Sequence, residues 1–225
     1  MADPDYKTLK DDIKKLEKTV QDARSERADA DKKLTENRQA QKKPGADLAA
    51  LKKEATTLAR TAGEKADALN DAQQKLASKQ GELRGTAASH AVAQLSAAGS
   101  IDDRVGEATN ALDDWRGALG SLPEVPQLRS LDGNEDPEVQ ASIRKQDKKA
   151  LESFVGWTDG EESRIDTEIK QVKQIIDAKP KLVGSEDGGA SLVSDAESLK
   201  KTLEDRKKRV VELRKTAQDR IKGIK

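Results

Sequence analysis

The sequence ADLAALKKEATTLARTAGEKADALNDAQQKLASKQGELRGTAASHAVAQLSAA, from Ala46 to Ala98, decides the fold. Leucine and alanine recur along it at intervals of three and four residues, which is the heptad spacing of a coiled coil. These positions are Leu48, Leu51, Ala55, Leu58, Ala62, Leu69, Ala72, Leu76 and Leu83. One helix over this stretch would extend roughly 75 Å. The pattern therefore predicts an elongated all-α protein built from antiparallel coiled-coil hairpins.

The second half of this helix is rich in small side chains. Ala77, Gly81, Gly85 and Ser89 recur every fourth residue, and no charged residue occurs from Gly85 to Ser100. Each interior glycine costs about 1 kcal/mol relative to alanine. Two interpretations stay open: another helix packs closely on the small residues, or the helix breaks near Gly85. The missing charge predicts burial on more than one face.

A hairpin corner is predicted at Lys43-Pro44-Gly45. Proline disfavours helix at the residue before it, and glycine gives the chain a flexible turn. The preceding segment begins with Pro4, in a position that suits the first helical turn, and it carries heptads of its own. Two heptad helices joined by so short a link pack antiparallel. Residues 1–98 are therefore the predicted N-terminal hairpin.

Residues 99–157 are predicted to form a helical connecting region. Ser100 is placed to cap a helix that ends before Gly120. Two prolines and two glycines then predict a loop, and Pro137 predicts the start of another helix. Most of the chain's aromatic residues fall in this region, and we expect them to form a small core where the hairpins meet. They are Trp115, Phe154 and Trp157.

Residues 158–225 are predicted to form a C-terminal hairpin. Gly156-Trp157 interrupts the preceding apolar pattern. Thr158 is followed three residues later by Glu161, which is the spacing of a capping box. We therefore expect a new helix to start at Thr158 and to pair with a last heptad helix.

Few residues suggest chemistry. The chain has no cysteine and one histidine, which excludes thiol catalysis, disulfides and the usual zinc sites. Residues 132–136 resemble the start of a calcium-binding loop, but Pro137 and Ile143 stand where that loop needs glycine and glutamate. No carboxylate pair stands out in an apolar setting. We expect no enzyme, and no catalytic, cofactor-binding or metal-binding residue.

Charge is balanced overall but not locally. The chain contains 42 basic and 42 acidic residues, yet residues 101–164 carry a net charge of −7 and residues 199–225 carry +7. A basic helix can bind nucleic acid or anionic lipid, although it also suits a solvated face. The opposite charges of the two segments also suit contacts within the chain or between copies of it. Nucleic acid is not expected, because no aromatic residues interleave for base stacking. The candidate partner-binding residues are Arg206, Lys207, Lys208, Arg209, Trp115 and Trp157.

The tripeptide Trp115-Arg116-Gly117 resembles the Trp-X-Gly turn of small helical-hairpin substrates of type VII secretion. That resemblance covers about a dozen residues, and the C-terminal tyrosine signal of such proteins is absent, since Tyr6 is the only tyrosine. The tripeptide also fits a core tryptophan beside a helix-ending glycine. In architecture alone, long charged hairpins also resemble membrane-remodelling proteins of the phage-shock and ESCRT-III types.

Function is predicted only in outline. The first residues show no secretory signal, and no apolar run approaches the roughly twenty residues of a membrane span. We therefore expect a cytoplasmic protein, with signal-independent export left open. The sequence predicts a structural or adaptor protein that associates with protein partners or with itself, and it points to no small-molecule substrate. The alternatives are a membrane-surface or membrane-remodelling protein, and a Trp-X-Gly-like secretion substrate or its chaperone.

Overall fold

The computed structural model describes residues 4–129, 131, 137–182 and 188–224. Over these residues it contains five α-helices, one short 3-10 helix and no strand, which confirms the all-α helical-hairpin prediction. The helices are α1 (Pro4–Ala40), α2 (Leu48–Gln94), α3 (Ile101–Gly117), α4 (Pro137–Asp177) and α5 (Gly188–Gly223), and the 3-10 helix is Lys179–Leu182.

The chain forms two compact units, each assembled from three separate segments. Unit 1 comprises Met1–Ile13, Ala77–Leu122 and Thr158–Leu213, and unit 2 comprises Lys14–Leu76, Pro123–Trp157 and Arg214–Lys225. Four of the five helices contribute residues to both units. The predicted division into residues 1–98, 99–157 and 158–225 stays a prediction.

The predicted corner between the first two helices is confirmed. Helix α1 ends at Ala40, and Gly45 takes a positive φ of 77°, which favours glycine. Asp47 then caps α2, because its Oδ1 accepts hydrogen bonds from the backbone N–H groups of the second and third residues after it. Within unit 2, Asn37 bonds Glu54 and Glu26 bonds Lys65, and this order shows that α1 and α2 run antiparallel.

Helix α2 is continuous to Gln94, so a break near Gly85 is wrong. The close-packing interpretation holds at Gly81, where an added Cβ would collide with the Arg164 side chain of α4. It does not hold at Gly85, whose added Cβ would meet no atom within 4 Å.

The uncharged segment after Gly85 is buried on one side only. Ala87, Ala88 and Ala91 are fully buried, whereas Ala93 is exposed. The prediction of burial on more than one face is therefore wrong. Alanine is small and occurs both in cores and on surfaces, so an uncharged segment rich in alanine need not be buried on every face.

Helix α3 begins and ends as predicted. The Ser100 Oγ accepts a hydrogen bond of 3.1 Å from the Asp103 backbone N–H, and the helix ends at Gly117. A connector follows, irregular over its described residues 118–129, and the next helix begins at Pro137, as predicted.

Helix α4 corrects the prediction of a new helix at Thr158. It runs without interruption from Pro137 to Asp177, so neither a break at Gly156-Trp157 nor a capping box is present. The buried face continues through the junction, because Phe154, Thr158, Glu161 and Ile165 are all buried at helical spacing. Gly156 lies on the exposed side.

The two units have different cores. Unit 1 has a large core of branched and aromatic side chains, with Leu112, Trp115, Ile165 and Leu203 fully buried. Unit 2 has two smaller clusters, of which the first is rich in alanine; they are Ala30, Leu34, Ala59, Ala62 and Ile143, and Val20, Leu69 and Ala72.

The predicted single aromatic core is wrong. Trp115 belongs to the core of unit 1. Phe154 and Trp157 belong to unit 2, where their ring centroids are 5.6 Å apart.

Candidate functional site

The core of unit 1 contains a cluster of charged side chains, which we call the Arg84 cluster. Its members are Arg84 of α2, Glu161, Arg164 and Glu168 of α4, and Arg206 of α5. Arg84 is fully buried, and its Nε donates to the two carboxylate oxygens of Glu168 at 3.0 and 3.2 Å. Its Nη2 donates to Glu161 Oε1 at 2.6 Å.

The remaining contacts of the two glutamates complete the Arg84 cluster. Glu161 Oε1 also accepts from Arg206 Nε at 3.1 Å, and Glu161 Oε2 accepts from Arg164 Nη1 at 2.7 Å. Glu168 Oε2 accepts from the Trp115 indole N–H at 3.2 Å. All four carboxylate oxygens therefore have hydrogen-bond donors.

The two glutamates of the cluster have pKa values displaced in opposite directions. Burial acts to raise the pKa of Glu161, but Arg84, Arg206 and Arg164 outweigh it and leave that pKa below its ordinary value. Burial raises the pKa of Glu168 above its ordinary value, because the opposing effects of Arg84 and Trp115 do not offset the loss of solvation.

Sequence reasoning missed this cluster. The statement that no carboxylate pair stands in an apolar setting is wrong, since Glu161 and Glu168 are both about 1% exposed. A signal was present: the two residues stand one heptad apart, on the same helix face as Ile165 and Val172. Charged residues at core heptad positions require buried partners of opposite charge.

The Arg84 cluster is suited to fixing how helices align rather than to proton transfer. A buried polar network depends on the pairing of its donors with its acceptors, so it favours one register over the many alternatives that apolar contacts allow. A general base needs an acceptor oxygen that can face a substrate, and each carboxylate oxygen here already accepts from a side chain of the chain itself.

A second arginine is held in unit 2, in a more open setting. Arg129 of the connector donates through Nε to Asp147 Oδ1 at 2.6 Å and through Nη1 to Gln146 Oε1 at 2.9 Å. Its Nη2 donates to the Ile143 carbonyl oxygen at 3.3 Å. An added Cβ at Gly63 would collide with the Arg129 guanidinium, so this glycine gives the arginine its place against α2.

A cavity of about 220 Å³ lies beside Arg129 in unit 2. Its apolar lining includes Leu34, Ala59 and Ile143, which also belong to a core cluster of this unit. Leu128 lines it too and remains 37% exposed. The alanines of α2 leave this space because they are too short to fill the interval between the surrounding elements.

The four predicted basic residues of α5 do not form one surface. Arg206 is 8% exposed and is bound to Glu161 and to the Gly120 carbonyl oxygen. Lys207 pairs with Asp166 at 2.7 Å, and Lys208 pairs with its helix neighbour Asp205 at 2.9 Å.

Arg209 is exposed and makes no ion pair with a described residue. Helix α5 therefore turns one end of the run 206–209 toward the core and the other end toward solvent. The partner-binding role of its four residues stays a prediction.

The two predicted tryptophans also lie in different settings. Trp115 is fully buried and bonded to Glu168. Trp157 is half-buried against Phe154, and its indole nitrogen is buried without a hydrogen-bond partner among the described residues. Their roles in partner binding stay predictions.

Among the described residues, no group of three or more His, Asp or Glu side chains could hold a metal ion. Across the same described part of the chain, no helix has the length and apolar character that crossing a membrane requires. Residues 132–136, with their partial resemblance to a calcium loop, lie outside the described residues.

Comparison with known proteins finds no counterpart: the chain matches no family model, no curated protein and no solved structure.

Proposed function

We propose that this chain is a non-enzymatic helical protein of the cytoplasm, acting as a scaffold or adaptor through association with other proteins or with itself. The observation that carries the proposal is the small cavity of unit 2, whose lining is half apolar and includes the exposed Leu128. An exposed apolar side chain at a partly apolar cavity with a polar rim forms the kind of surface on which partner side chains anchor.

The size of the cavity favours a protein partner over a small molecule. At about 220 Å³ it is smaller than the roughly 300–1,000 Å³ of typical small-molecule pockets. A single inserted side chain, surrounded by weaker contacts outside the cavity, is the usual arrangement of an interface anchor.

The buried charges support a structural role in place of catalysis. The ionisable groups of the Arg84 cluster are engaged with one another, and Asp147 is engaged by Arg129 and Arg144. Perturbed pKa values mark active sites only probabilistically, because structural ion-pair networks perturb them as well.

The membrane-surface alternative has weaker support. It depends on the basic run of α5, of which Arg206 and Lys207 are engaged with acidic residues of α4. Co-sedimentation with vesicles of phosphatidylserine and phosphatidylcholine tests it directly. Binding that disappears in Lys208→Glu/Arg209→Glu would favour a lipid surface over a protein partner.

The association proposal is tested by filling the cavity. Ala66 lines it and is half-buried, so Ala66→Leu should occupy it; Ala68→Leu, on the exposed side of the same helix, is the matched control. We expect light scattering to show concentration-dependent association, or a photo-crosslinker at Leu128 to form discrete protein adducts in cells, and either to be lost in Ala66→Leu alone.

A contrary result has a clear form. A protein that stays monomeric at all concentrations and forms no crosslinked adduct from Leu128 would contradict the proposal. Equal loss in Ala66→Leu and Ala68→Leu would show that the cavity is not the surface involved.

A further inference from the structure

Two guanidinium groups of the Arg84 cluster each have a nitrogen that is buried and has no hydrogen-bond partner among the described residues. They are Arg84 Nη1 and Arg206 Nη2. The two side chains are 0% and 8% exposed. Buried polar groups in native proteins are almost always satisfied by protein, by bound water or by an ion.

The two arginines are neighbours. Arg84 Nη2 and Arg206 Nε both donate to the same atom, Glu161 Oε1, at 2.6 and 3.1 Å. The two positive groups therefore meet at one oxygen in the interior, where charges of the same sign repel strongly. Burial lowers the pKa of Arg206 below its ordinary value, and the charge of Arg84 lowers it further.

The charge of the cluster is unbalanced. It contains the three arginines at positions 84, 164 and 206 and two glutamates, which leaves one positive charge. Only Arg164 is substantially exposed, at 31%. A bound water molecule would satisfy the N–H groups but would leave the excess charge, whereas a monovalent anion would satisfy both.

We propose that Arg84 and Arg206 together bind a small monovalent anion of the size of chloride in the core of unit 1, through Arg84 Nη1 and Arg206 Nη2. Both guanidinium groups only donate hydrogen bonds, and a halide ion only accepts them, so the two are complementary. This site is independent of the proposed association through unit 2.

The proposal is tested by equilibrium unfolding at constant ionic strength, with sodium chloride exchanged for sodium gluconate, whose anion is too bulky for a buried site. We expect the unfolding constant to fall nearly tenfold for each tenfold rise in chloride once chloride is well above its dissociation constant. Arg206→Gln and Arg206→Lys should abolish this dependence, since both remove Nη2. Arg209→Gln, which changes the exposed arginine three residues away, should keep it.

A second measurement keeps the proposal testable if the Arg206 variants do not fold. Crystals of the unaltered protein grown with sodium bromide should show an anomalous peak between Arg84 and Arg206. Equal stability in chloride and gluconate, a chloride dependence that survives in Arg206→Gln, or an interior without a bromide peak would overturn the site.

Discussion

Both units enclose an arginine paired with a carboxylate, but they enclose it to different degrees. In unit 1, Arg84 is fully buried and held by two glutamates in a core with Trp115. In unit 2, Arg129 is 15% exposed and held by Asp147 beside a cavity and an alanine-rich cluster. The difference shows how a chain with 2% aromatic residues includes buried arginine–carboxylate pairs in its interior. Where bulky apolar residues surround the charges, the network is sealed; where alanine surrounds them, it stays partly open.

The largest expected effect separates the two arginines. Arg84→Met should cost about 3–5 kcal/mol, because it leaves Glu168 buried with only the indole N–H as a donor. Arg129→Met should cost less, about 1.5–3 kcal/mol, since Asp147 keeps Arg144 Nη1 and the backbone N–H of residue 129 as donors. Urea unfolding measures both.

The control for this pair is Arg60→Met, which removes an exposed arginine of α2 whose distance to Glu64 is 3.9 Å. We expect no measurable change in its unfolding midpoint. Equal losses of unfolding free energy in Arg84→Met and Arg129→Met would show that the degree of burial does not set the contribution of each arginine.

The next largest loss of stability is expected at the two glycines of α2 that arginine side chains contact closely. An added Cβ at Gly63 would collide with Arg129, which is fixed by three hydrogen bonds, so Gly63→Ala should cost about 1–3 kcal/mol. Gly81→Ala should cost less, because the Arg164 side chain is 31% exposed, against 15% for Arg129, and can move outward.

Gly85→Ala serves as the reference for those two variants. Its added Cβ meets nothing within 4 Å, so the substitution should stabilise the protein by about 0.5–1 kcal/mol through helix propensity alone. Thermal unfolding of the three variants gives the order, and a destabilised Gly85→Ala would mean that the glycines are not distinguished by their neighbours.

Lowering the pH should change the stability contributions of Glu161 and Glu168 in opposite directions. The pKa of Glu161 is lowered from 4.5, so its contribution is present above about pH 4.5 and is lost as pH falls through the lowered value. The pKa of Glu168 is raised from 4.5, so its contribution is present below about pH 4.5 and is lost as pH rises through the raised value.

Two variants turn these signs into a measurement of unfolding free energy between pH 3.5 and 7. The stability lost in Glu161→Gln should shrink as pH falls, and the stability lost in Glu168→Gln should grow. Asp67 of unit 2, whose pKa is raised by burial, should resemble Glu168 when changed to Asn. Parallel pH profiles for all three variants would contradict the assignment.

The smallest effect is expected at the surface, where the units should behave alike. Lys207 pairs with Asp166 at 2.7 Å in unit 1, and Lys65 pairs with Glu26 at 2.8 Å in unit 2. Changing either lysine to Gln should lower the unfolding midpoint by a fraction of the Arg129→Met effect. Raising salt from about 0.1 M to 1 M should reduce that small loss further, because the Debye length falls from about 10 Å to about 3 Å. A large, salt-independent loss in one unit only would place part of the difference at the surface.

The heptad pattern predicted the helices because burial along a helix leaves a simple period in the sequence. The corner at Pro44 was predicted from the local conformational limits of proline and glycine. It failed at Gly156-Trp157, where an exposed glycine looks like a break although Phe154 and Thr158 continue the buried face. Local propensity is a weak guide when tertiary packing supports the helix.

The Arg84 cluster could not be predicted in full from the sequence. Glu161 and Glu168 were readable as charges at heptad positions, but their shared partner, Arg84 of α2, is 77 and 84 residues away along the chain. Residue spacing within one helix says nothing about which residue of another helix lies opposite. The cavity in unit 2 was equally hidden, since it depends on where the connector crosses the helices.

The distribution of tryptophan gives each unit its own optical reporter. Trp115 lies in unit 1 with its indole N–H on a buried carboxylate, and Trp157 lies in unit 2 against Phe154. Their fluorescence should therefore differ in wavelength and lifetime, and Trp115→Phe and Trp157→Phe would each leave a single emitter. Stopped-flow traces of these two variants would record the opening of one unit at a time, and would show whether the long shared helices transmit unfolding as one wave or as two.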